Sequence, residues 1–96
     1  MNDKRFHKVA KALADPRRFG IFQTIATSHA GEMCSGAVCE TVTVAQATVS
    51  HHLKELTEAE LIIPRSEGQF KYFTANFETM NEYISELQSR LKLKAK

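Results

Sequence analysis

The sequence predicts a mainly α-helical domain with one small β-hairpin, in the order α-α-α-α-β-β-α. Three observations predict it. Apolar residues recur at helical spacing from Phe6 to Ala26 and again from Val38 to Leu56. A strand, a glycine turn and a second strand follow directly. They are Leu61-Ile62-Ile63, then Arg65-Ser66-Glu67-Gly68-Gln69, then Phe70-Lys71-Tyr72-Phe73-Thr74. A last helical stripe of Met80, Ile84, Leu87 and Leu91 closes the chain.

Each element has a local reason. Asn2 or Asp3 can cap a first helix whose apolar stripe is Phe6, Val9, Ala10 and Leu13. Asp15-Pro16 restarts the chain, because Asp caps well and Pro suits the first helical position. The second helix should reach about Thr27, with Phe19, Phe22, Ile25 and Ala26 inward, and Gly31 ends that stretch. Cys34 to Val42 reads as a short third helix with Val38 and Val42 turned inward. The fourth begins at Val44 or Ala45 and runs to about Ala59, so the third and fourth form a helix-turn-helix. The hairpin tip carries Arg65, Gln69 and Lys71, and Asn76 caps the last helix. Its apolar seam is narrow with charged flanks, which suits pairing with another helix better than wrapping a broad core.

With 96 residues, the whole span 1–96 reads as a single domain. Its core is small, and chains of this size often gain stability by dimerising. Apolar content of 43% with 25% charged residues is ordinary for a soluble globular protein. No apolar run approaches the ~20 residues that span a membrane. The start, Met-Asn-Asp-Lys-Arg, has no apolar segment behind it, so the expected location is cytoplasmic. The net charge of +2 alone does not mark a nucleic-acid binder. Its distribution says more: Lys4, Arg5, Lys8, Lys11, Arg17 and Arg18 crowd the first helix pair, and Arg90, Lys92, Lys94 and Lys96 crowd the C-terminus. Two cysteines, 34 and 39, are too few for a disulfide scaffold. No Gly-rich phosphate loop or H-E-x-x-H motif is present, and no nucleophile and base form a recognisable pair, which argues against an enzyme.

The fourth helix carries the most information. Val49, Leu53 and Leu56 form one apolar stripe, and Ala47, Ser50, His51 and Lys54 fall on the opposite face. No Asp or Glu occurs between Glu40 and Glu55. A helical face that is free of acid and has small side chains at its start can approach a phosphate-lined groove. The sequence also resembles a family. Ala12-Leu13-Ala14-Asp15-Pro16-Arg17-Arg18-Phe19-Gly20-Ile21 is similar to the "ALADPTRLRIL" opening of the ArsR/SmtB metalloregulators. Gln46-Ala47-Thr48-Val49-Ser50-His51-His52-Leu53-Lys54-Glu55-Leu56 resembles their "QSTVSHHLKxL" recognition helix. Glu58-Ala59-Glu60-Leu61-Ile62 is similar to "EAGLI", and Glu67-Gly68-Gln69-Phe70-Lys71-Tyr72 to the wing "REGRxxxY". The resemblance covers about residues 9 to 75. It implies a winged helix-turn-helix homodimer that represses transcription. Such proteins leave their operator when a metal or other effector binds, or when sensor thiols oxidise. One departure is Glu60, where the family usually has glycine; Glu60 must adopt a left-handed conformation or shift the cap.

The resemblance implies groove-facing roles for Gln46, Thr48, Ser50 and His51, while periodicity independently points to Ala47, Ser50, His51 and Lys54. On the wing, Arg65, Gln69 and Lys71 are the expected DNA contacts. His51 and His52 lie ~100° apart on a helix and cannot chelate one ion. Both are expected to be solvated or to touch phosphate. Arsenic-sensing members carry "CxCxxC" at the start of the third helix. Cys34 matches the first thiol and Cys39 the last, with Gly36 in place of the middle one. The pair is a candidate site for a soft metal or metalloid, or a redox pair. The two converge only if Cys34 lies before the helix begins, and the alternative is a structural role for both. His7 and His29 are loose extra ligands with no pattern behind them. The family's second metal site, on the last helix, is rejected because residues 76–96 contain no histidine. The dimer interface is expected at Phe6, Leu13, Met80, Ile84, Leu87 and Leu91. The function read from all this is a sequence-specific DNA-binding repressor acting on an imperfect inverted repeat. It would be released by a thiol-reactive effector at Cys34 and Cys39. The alternatives are a constitutive DNA binder with structural cysteines, and a winged helix turned to protein interaction.

Overall fold

The computed structural model of the chain describes residues 1–94, so Lys96 of the basic C-terminal group lies outside the described residues. Helix α1 (Asp3–Ala14) starts where the Asn2 side chain accepts the Arg5 backbone N–H at 2.8 Å. One residue separates it from α2 (Pro16–Ala26). There the Asp15 carboxylate accepts the N–H groups of Arg17 and Arg18 at 2.9 and 3.0 Å, with Pro16 at the first helical position. A 3-10 turn, His29–Gly31, has left-handed φ angles at Ala30 (56°) and Gly31 (66°). It leads into strand β1 (Glu32–Cys34), then α3 (Ser35–Glu40) and α4 (Gln46–Glu58). Strands β2 (Ile62–Glu67) and β3 (Phe70–Ala75) and helix α5 (Phe77–Arg90) complete the order.

The expected hairpin is two-thirds of a three-stranded antiparallel sheet, ordered β1-β3-β2. The added strand pairs Glu32 with Thr74, Met33 with Phe73 and Cys34 with Tyr72. Cys34 therefore ends a strand and precedes α3. The hairpin turn is shorter than expected. Only Gly68 and Gln69 separate β2 from β3, and Gly68 sits at φ 60°. Glycine at the first turn position matches the right-handed twist of the flanking strands. Arg65 and Lys71 consequently lie on strand bodies, opposite Tyr72 and Ser66, and only Gln69 is at the tip.

The core gathers Val9 from α1, Ile21 and Ile25 from α2, Val38 from α3, Val49, Leu53 and Leu56 from α4, and Leu61, Ile62 and Phe73 from the sheet region. Two expected orientations are corrected. Phe19 is 43% exposed, while Ile21 is buried in its place, because α2 packs on α4 and the sheet with the Ile21, Phe22 and Ile25 face. Phe6 is buried inside the subunit. The Tyr83 ring lies 5.2 Å from it, centroid to centroid, and the Arg90 guanidinium stacks 4.1 Å above it. Arg90 also holds Asp3 at 2.8 Å and Glu86 at 3.0 Å, tying α5 to α1.

Glu60 takes the left-handed option, with φ 62°. Its carboxylate accepts Arg5 Nε at 2.8 Å, and the same guanidinium reaches Glu82 at 3.1 Å. The non-glycine cap is thus tied to α1 and α5. Among the described residues no helix is long and apolar enough to cross a membrane.

Candidate nucleic-acid interface

Helix α4 buries Val49, His52, Leu53 and Leu56 and turns Gln46, Ala47, Ser50, His51 and Lys54 outward; Thr48 is half-buried. The outward face carries no acid in its first turn, and Ala45 offers no side-chain cap. The first backbone N–H groups are therefore left for solvent or for an anion.

His52 departs from the expectation of a solvated ring. It is 6% exposed, and its Nδ1 has no hydrogen-bond partner among the described residues. Burial pushes its pKa below the ordinary histidine value; Arg18, His51 and Arg17 add to this, and only Asp15 opposes it. A neutral imidazole therefore lies beside the charged residues at the start of α2, and the His51 ring lies 5.9 Å away. The spacing held a clue, since His52 follows Val49 by three residues and precedes Leu56 by four.

The hairpin presents Lys71 and Gln69 as exposed side chains. Arg65 is differently placed. Its guanidinium donates to Glu32 at 3.0 Å and also to Glu67, and it stacks 4.7 Å above the Tyr72 ring. The other Glu32 oxygen accepts the Thr74 hydroxyl at 2.8 Å. Thr74 and Arg65 together hold the Glu32 carboxyl below the usual carboxylate range. In return, Glu67 and Glu32 raise Arg65. The arginine expected to meet phosphate is occupied by two carboxylates. Glu32, which holds it from β1, was invisible in the sequence because β1 itself was.

Cys34 and Cys39 are both free thiols and half-buried. They bracket α3, one as the residue before it and the other in its last turn against the core. Among the described residues no group of three or more His, Cys, Asp or Glu is placed to hold a metal ion. His7 and His29 are exposed on α1 and on the 3-10 turn, and neither belongs to a metal-holding group among the described residues. Glu82 and Glu86 are engaged by Arg5 and Arg90.

Of the expected dimer residues, Leu13, Met80 and Leu87 are half-buried, Ile84 is 45% exposed and Leu91 63% exposed. Phe6 is not available on this surface. Leu93, 56% exposed, extends the apolar edge beyond the helix end.

A family model described as a helix-turn-helix domain matches residues 13–65. The transcriptional repressor SdpR of Bacillus subtilis (strain 168) is 32% identical over 79 residues, covering 82% of this chain and 84% of that protein. An arsenical resistance operon repressor of the same organism is 32% identical over 83 residues, covering 86% and 77%. A homodimeric winged helix-turn-helix DNA-binding domain from Mycobacterium bovis, solved by NMR, superposes with a TM-score of 0.72 at 22% identity. That match covers 98% of this chain and 92% of that one, and it shows the shared fold. This chain belongs to the ArsR/SmtB family of winged helix-turn-helix transcriptional regulators, which are DNA-binding repressors and not enzymes.

Proposed function

We propose that the chain represses transcription as a homodimer bound to an imperfect inverted repeat, and that chemistry at Cys34 and Cys39 releases it. The observation that carries the DNA reading is the exposed face of α4, free of acid from Gln46 to Lys54, beside the Lys71 strand. Gln46, Ala47, Thr48, Ser50, His51 and Lys54 would enter the major groove, with Lys71 and Gln69 on the flanking backbone. Two copies joined along the apolar edge of exposed Ile84, Leu91 and Leu93 and half-buried Leu87 would read two successive grooves. The homodimeric Mycobacterium bovis domain supports that assembly.

A trigonal metalloid site does not fit the donors present. Two thiols bracket α3, and among the described residues no third ligand is grouped beside them. Oxidation needs only the pair. A hydroperoxide would take two electrons from the two thiols, forming the S–S bond and breaking the O–O bond, with water and an alcohol as products. Because Cys34 is also the last residue of β1, a bond to Cys39 would pull on both the sheet and the start of α3.

The test is operator binding by the reduced and the hydroperoxide-treated protein, in wild type and in the Cys34→Ser/Cys39→Ser variant. Release of wild type alone supports the reading. If neither protein is released, or both equally, the cysteines are structural and the protein binds DNA constitutively.

A further inference from the structure

A cavity of about 440 Å³ opens between α3, α4 and the hairpin. Its size falls within the range of small-molecule sites. Leu53 and Phe73, each only 5% exposed, form an apolar floor, with Pro64 beside them. Lys54 and Lys71 are exposed and stand at its rim. The Lys71 ammonium lies 5.6 Å from the Phe73 ring centroid, so it leans over that floor. Among the described residues neither ammonium forms an ion pair. Glu58 contributes the one carboxylate of the lining, so two ammonium groups face one carboxylate and the wall is left with a single positive charge.

We infer that this cavity binds a small organic monoanion, a carboxylate with a compact apolar body. The body would cover Leu53, Pro64 and Phe73 and remove apolar surface from water. The carboxylate would sit between Lys54 and Lys71, where charge-assisted hydrogen bonds are strongest. A dianion would meet Glu58, and a neutral molecule would leave both ammonium groups without a partner. Gln46, Ser50, Lys54 and Lys71 line this cavity and also belong to the face proposed for DNA. Carboxylate and operator would therefore exclude one another. Cys39 also lines the cavity, but carboxylate binding needs no thiol chemistry, and it depends on the DNA reading only for its consequence, since ligand binding is a property of the free protein.

Benzoate and its neutral isostere benzamide are the probes. Binding is read first without DNA, by amide NMR shifts and by the rise in melting temperature. Benzoate should saturate, with shifts centred on Leu53, Pro64-adjacent amides and Phe73, while benzamide should not. Ser35→Phe fills the cavity from α3 and should abolish the benzoate response of the free protein. Lys54→Gln/Lys71→Gln should abolish the response through charge alone. With operator present, benzoate at ten times its dissociation constant should lower the apparent affinity of wild type about tenfold. The inference is overturned if benzoate does not saturate, if benzamide binds equally, or if Ser35→Phe still responds. Saturation by a protein that binds no operator would leave the cavity assignment standing and remove the DNA reading instead.

Discussion

Arg65 should be a restrained phosphate ligand, and neutralising its restraints should tighten DNA binding. Its guanidinium is shared between Glu32, at 3.0 Å, and Glu67, and rests 4.7 Å above Tyr72. The cluster has two carboxylates and one guanidinium, so the middle of the wing presents net negative charge to an approaching phosphate. In Glu32→Gln/Glu67→Gln the same arginine becomes a free cation. Thr74 can still donate its hydroxyl to the amide oxygen at position 32, which preserves the β1–β3 contact. One added phosphate contact steepens the dependence of log affinity on log salt by about 0.9 per wing. At about 0.1 M salt this corresponds to roughly eightfold tighter binding per wing, and roughly sixtyfold for a dimer with two wings. The assay is anisotropy of a labelled operator duplex across a salt series. Arg65→Ala in the wild-type background should change the slope little, whereas Lys71→Ala should flatten it. An unchanged slope in the double variant would refute the reasoning, as would an Arg65→Ala slope change as large as that of Lys71→Ala.

Other outcomes follow from the same geometry. Ser50→Ala and His51→Ala should each weaken specific operator binding by about 1–3 kcal/mol while leaving binding to random duplex nearly unchanged, as competition titrations would show. His52 is neutral in the fold and its pKa is depressed, so the unfolded chain binds the extra proton. Stability should be level above the unfolded value of about 6.5 and fall as pH drops below it. Urea midpoints should show this fall in wild type and lose it in His52→Leu; Asp15, Arg17, Arg18 and His51 remain as the neighbouring charges in both. Glu60→Gly relieves a left-handed non-glycine residue, worth about 1–2 kcal/mol, against loss of the exposed Arg5 pair. It should raise the urea midpoint, while Glu60→Ala, which keeps the strain and loses the pair, should lower it. Leu87→Glu should shift sedimentation toward the monomer, and a wild-type monomer at micromolar concentration would remove the proposed dimer.

What the chain determined by itself is whatever depends on near neighbours in sequence. The Asp15-Pro16 start of α2 follows from a carboxylate two and three residues ahead of the N–H groups it accepts. The Val49, Leu53 and Leu56 stripe follows from helical spacing, and with it the outward face of Ser50, His51 and Lys54. The left-handed Glu60 was one of two local choices, and α1 and α5 supplied the arginine and the partner carboxylate that go with it. The tertiary structure alone decided the rest. Strand β1 is three residues of unremarkable pattern, and it is a strand only because β3, about forty residues later, offers hydrogen bonds to Glu32, Met33 and Cys34. That pairing turns Arg65 from a wing cation into a clamped one and puts Cys34 ahead of α3. His52 is buried near Asp15, Arg17 and Arg18 at the start of α2, and Phe6 because Arg90 and Tyr83 cover it. Helical period and capping are properties of a few consecutive residues, whereas strand partnership and burial are set by groups that only the folded chain brings together.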